Sequence, residues 1–107
     1  MTKITIFKKK GMICGFQVKG HSGYAESGSD IVCSGISTAT QMTLAGLKEV
    51  LKLKVKDDVK DAYMQVLLDE FDNEKAQALL SAMQITLESI TKEYARYVKM
   101  EVKEDVY

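Results

Sequence analysis

Apolar and polar positions alternate along the first twenty residues. Ile4 and Ile6 face one way and Thr5 and Phe7 the other, so Lys3 to Phe7 reads as a strand. Met12, Cys14, Phe16 and Val18 alternate with Ile13, Gly15, Gln17 and Lys19 as a second strand. Lys8-Lys9-Lys10-Gly11 supplies a turn between them, and Gly20 closes the hairpin. The period then changes. Val32, Ile36, Ala39, Leu47 and Val50, with Leu44 and Leu51 beside them, recur at helical spacing. Ser29 or Asp30 is the expected N-cap, and the helix should run to about Leu51. Gly35 and Gly46 weaken such a helix by roughly 1 kcal/mol each, and their small size suits close approach of another backbone.

Leu51 to Lys56 alternates again as a strand, Asp57-Asp58 fits a turn, and Ala62, Met64, Val66 and Leu68 mark the next strand. Asp72 or Asn73 can cap a second helix. Its stripe is Ala76, Leu79, Leu80, Met83, Leu87, Ile90 and Tyr94. Val98, Met100 and Val102 alternate with lysine and glutamate as a last strand. The order is β-β-α-β-β-α-β. The simplest burial is a two-layer α+β sandwich: a mostly antiparallel sheet of about five strands with both helices on one face. If the other sheet face is apolar, a second copy of the chain would cover it.

Composition narrows the function classes. With 107 residues the chain suits one domain spanning residues 1–107, large enough for a core without staples. Fifteen basic residues balance fifteen acidic ones, which gives no reason to expect direct nucleic-acid or membrane-surface binding. The first ten residues lack the continuous apolar run of a secretory signal, and no stretch is long enough to span a bilayer. Two cysteines, Cys14 and Cys33, fit a reducing cytoplasm better than a disulfide framework. Neither a linker nor a repeat is visible.

The candidate chemistry lies in one segment. His21, the only histidine, opens a glycine-rich loop running to Ser29, and Cys33 follows it at an expected helix start. A thiol and an imidazole are the minimum for nucleophilic acyl transfer. The thiolate is the nucleophile, and both a helix start and a protonated imidazole favour it. Amides at the helix start are also candidate oxyanion donors. Asp30 can cap the helix or orient the imidazole, and Ser37 lies one turn after Cys33 on the same face. Cys14 shares a side with Phe16 and Val18 and reads as core. His21, Cys33 and Cys14 match no standard zinc spacing, so no metal is expected. There is no redox Cys-x-x-Cys pair, and no Gly-Lys-Ser or Gly-Lys-Thr completes a phosphate loop. No cofactor is implied. Acyl transfer by a small thiol hydrolase acting on non-peptide esters fits the same residues.

The segment Gly20-His21-Ser22-Gly23-Tyr24-Ala25, continued by Gly28-Ser29-Asp30-Ile31-Val32-Cys33-Ser34-Gly35-Ile36-Ser37, resembles the signature of the bacterial ribosomal-processing cysteine protease Prp family. Length, element order and the helix ending in Glu93-Tyr94 are similar too. Ser34 stands where that signature more often has alanine. The resemblance implies an endopeptidase that removes the N-terminal extension of large-subunit ribosomal protein number twenty-seven after a pair of phenylalanines. It implies Cys33 as nucleophile and His21 as base, with Asp30 and Ser37 as supporting residues. Gly20, Ser22, Gly23, Tyr24, Gly28 and Ser29 would form a substrate-binding loop that orders around the peptide. It further implies a homodimer. The rival from another class is a non-catalytic ribosome-assembly factor that binds the same ribosomal protein.

Overall fold

The computed structural model describes residues 1–20 and 27–105, the first four of the second stretch through their backbone. Five strands and two helices follow the expected order: β1 Thr2–Lys9, β2 Met12–Lys19, α1 Ser27–Ala45, β3 Val55–Lys60, β4 Tyr63–Leu68, α2 Glu74–Glu93 and β5 Val98–Glu104. The sheet is ordered β3-β4-β2-β1-β5. Three of its pairings are antiparallel, and β5 joins β1 in parallel.

The first hairpin turns on Lys10 and Gly11, both at positive φ, the two-residue geometry that matches strand twist. Its register slips between Phe7 and Lys8, which oppose Gly15 and Ile13, so Cys14 is the extra residue of a bulge. Cys14 is only 1 % exposed, a packing residue as expected. Gln77 of α2 braces the bulge: its side-chain oxygen accepts from the Ile13 amide at 2.9 Å, and its nitrogen donates to the Ile13 carbonyl at 2.8 Å.

Ile4, Ile6, Phe16, Val66 and Val98 join Val32, Ile36, Leu80, Met83 and Leu87 in one buried cluster, so both helices lie against one sheet face. Leu80 is fully buried. Leu80→Ala is expected to destabilise the fold by about 2–5 kcal/mol, read as a lowered midpoint in urea; a loss under about 1 kcal/mol would contradict this packing. Asn73 caps α2 as expected, its side chain accepting from the Ala76 amide at 3.0 Å. The opposite sheet face is mixed: Gln17 donates to Gln65 at 2.7 Å and Lys3 pairs with Glu101 at 3.0 Å, while Phe7 and Leu67 flank Gly15 on the same side.

Three expectations are corrected. α1 begins at Ser27, so Ser29 and Asp30 lie within its first turn instead of capping it. At its other end the helix widens into a π-turn, Gly46–Val50, closed by the Leu51 amide donating to the Gly46 carbonyl at 2.9 Å. That step keeps Leu47 buried but leaves Val50 76 % exposed rather than in the stripe. A Cβ at Gly46 would lie 2.8 Å from Leu79 Cδ1, so a larger residue there would make the Leu79 side chain shift. Finally, Asp57 and Asp58 lie inside β3, and the turn falls at Asp61-Ala62, with Ala62 at positive φ. Pairing decides this: Val59 opposes Met64 and Lys60 opposes Tyr63. β3 is an edge strand, where charged residues are tolerated. Among the described residues no helix is long and apolar enough to cross a membrane.

Candidate active site

Cys33 is half-buried on α1. It is six residues beyond Ser27, about 9 Å along the axis at 1.5 Å per residue. The four amides without an in-helix acceptor therefore belong to residues 27–30, and the dipole effect fades beyond the first turn. The expectation that Cys33 sits in that first turn, beside free amides that hold an oxyanion, is not met.

Cys33 opens into a cavity of about 330 Å³ between α1 and the β3–β4 hairpin. α1 contributes Cys33, Ser37 and Gln41 to it, and the hairpin contributes Val59, Ala62 and Met64. Ser37 is exposed, one turn along from Cys33. Buried Thr40 below them satisfies its hydroxyl by donating to the Ile36 carbonyl at 2.8 Å.

The last residue of the first hairpin lines the same cavity. Gly20 donates its amide to the Ala62 carbonyl at 2.8 Å, and its own carbonyl accepts from Thr2 Oγ1 at 3.5 Å. Its φ is +86°, and a Cβ would lie 2.7 Å from the Met1 carbonyl oxygen. Only glycine fits this close approach in the left-handed region. Gly20 is thereby fixed at the cavity rim.

Of the expected site residues, the structure brings Gly20, Cys33 and Ser37 to one cavity. Asp30 precedes Cys33 by three residues on α1, as do Gly28 and Ser29 within its first turn, and their side chains lie outside the described residues. His21, Ser22, Gly23 and Tyr24 also lie outside the described residues, as does the expectation that their loop is mobile without substrate. The hairpin wall was missed. Its signal was the alternation of β4, but the Gly20–Ala62 bond that places it joins distant parts of the chain.

A family model described as cysteine protease Prp matches residues 1–99. The ribosomal processing cysteine protease Prp of Bacillus subtilis is 31 % identical over 90 residues, covering 77 % of this chain and 79 % of that protein. The protein of the same name from Staphylococcus aureus is 23 % identical over 99 residues, covering 88 % and 91 %. A solved structure of the S. aureus ribosomal processing protease Prp with a substrate peptide superposes with a TM-score of 0.88 at 22 % identity, covering 96 % of this chain and 100 % of that one. That likeness carries the two-layer α+β fold.

Proposed function

The chain belongs to the cysteine protease Prp family and is a cysteine peptidase, and from that premise we propose that it cuts a ribosomal protein with Cys33 as nucleophile and His21 as its proton partner. One observation carries the pairing: Gly20, the covalent neighbour of His21, and Cys33 line one cavity. Gly20 stands at the rim of the space into which Cys33 opens, and this supports the pairing. The substrate is the N-terminally extended ribosomal protein number twenty-seven, cut after its paired phenylalanines. The relatives' name, ribosomal processing protease, supports this class of substrate.

The chemistry follows from the two groups. His21 takes the thiol proton, and Cys33 sulfur attacks the scissile carbonyl. The tetrahedral intermediate collapses as His21 protonates the leaving amine, which departs as the new N-terminus. Water, deprotonated by His21, then hydrolyses the thioester and frees the thiol. Ser37, exposed in the cavity wall, contacts the peptide near the cut. Asp30, as an acidic residue in the first helical turn, is favoured by the dipole and acts on the reaction as a positioning residue for His21. The reading includes a cytoplasmic homodimer that does not bind nucleic acid directly.

Incubation with the extended ribosomal protein, followed by intact mass, tests this. One cut yielding the mature protein and the free extension is expected. Binding without a mass change would leave the assembly-factor reading in its place. Gly20→Ala tests the rim. The positive φ should cost about 1–2 kcal/mol, and displacement of His21 should lower kcat/KM roughly 100-fold. Undiminished kcat/KM in the folded variant would contradict the placement.

A further inference from the structure

The cavity beside Cys33 does not end at Gln41. A second cavity of about 260 Å³ continues along α1, walled by Leu44, Ala45 and Lys48 and sharing Gln41, Val59 and Met64 with the first. The two form one furrow between α1 and the β3–β4 hairpin. Lys48 Nζ meets Asp57 Oδ1 at 3.1 Å, joining the end of the helical segment to β3 at its far end.

Val59 stands where the two cavities meet. It is 56 % exposed, yet the register places it opposite Met64, which is only 7 % exposed. The other three residues between Val55 and Lys60 offer nothing apolar: Lys56, Asp57 and Asp58 are all exposed. A branched apolar side chain, half in water and facing a groove, can still gain by covering another apolar group.

Helical rise sets the spacing. Gln41 is eight residues beyond Cys33, about 12 Å along α1. An extended peptide advances about 3.3 Å per residue. A carbonyl at Cys33 therefore puts a side chain roughly three to four residues away beside Gln41 and Val59. We propose that the furrow is an extended substrate groove and that Val59 is a specificity-determining residue, selecting an apolar side chain about three to four residues from the scissile bond. This rests on Cys33 being the nucleophile, which fixes where the count begins.

The test separates binding from chemistry. Fluorescein-labelled peptides of the cleavage segment are matched except for leucine or serine at the positions about three and four residues from the cut, on either side in turn. Their affinity is measured by anisotropy on the Cys33→Ala protein. On one side of the cut, leucine is expected to bind roughly tenfold tighter than serine, within the usual range for an apolar pocket. Adding Val59→Asp should cancel that preference, weakening the leucine peptide about tenfold more than the serine peptide. Equal binding of leucine and serine peptides on both sides, or equal weakening of both by Val59→Asp, would overturn the proposal. Cleavage of the leucine peptide by the unsubstituted enzyme is read in parallel. A leucine preference without cleavage supports the groove and removes the proposed reaction; cleavage with no preference removes the groove alone.

Discussion

Cys33→Ala abolishes cleavage of the extended ribosomal protein, lowering kcat/KM by at least about 1,000-fold, the scale seen when a covalent nucleophile is removed. No other group in the proposed mechanism can carry the acyl chain. Cys14, the second thiol, is buried at the hairpin bulge, away from the residues that line the cavity. The fold should survive. Cys33 is half-buried in the middle of α1, and alanine is the better helix former. A thermal melt close to that of the unsubstituted protein, beside an unchanged substrate mass, is the expected pair of results. Residual cleavage within tenfold of the original would show that another nucleophile operates.

His21→Ala has the second largest effect, a loss of roughly 100- to 10,000-fold, the usual contribution of general acid–base catalysis. In the proposed mechanism three steps need the ring: proton removal from the thiol, protonation of the departing amine and deprotonation of the hydrolytic water. Its signature lies in the pH profile. The unsubstituted enzyme should show a rise in kcat/KM that follows imidazole deprotonation, and the residual activity of the variant should lose that limb. A profile unchanged in shape, with only its height reduced, would assign His21 to substrate contact. The melt of the variant separates either result from misfolding.

The sequence was most informative where local pattern and tertiary packing agree. The alternation in β1, β4 and β5 matches the buried face, because those strands pack Ile, Val or Met against the helices; in β2 the bulge at Cys14 instead brings Ile13, expected on the opposite side, into the core beside Phe16. The α2 stripe was legible for the same reason, and Asn73 announced its cap. β3 was misplaced because an edge strand owes its position to its partner. Val59 must oppose Met64, and nothing within residues 51–60 records that pairing. The exposure of Val50 was hidden for a similar reason. It follows from the π-turn at Gly46, against which α2 packs Leu79. Within the site, the chemical residue types marked Cys33, Ser37 and Gly20. The opposing wall could not be read, since Ala62 becomes its corner only when Gly20 bonds to it.

A structure of the unsubstituted protein with a non-hydrolysable substrate peptide gives the decisive distance, from Cys33 Sγ to the nearer imidazole nitrogen of His21. The account predicts direct hydrogen-bond reach, about 3–4 Å for a sulfur partner, with the scissile carbonyl against the sulfur. A seated peptide with the two groups more than about 7 Å apart, well beyond that reach, would contradict it.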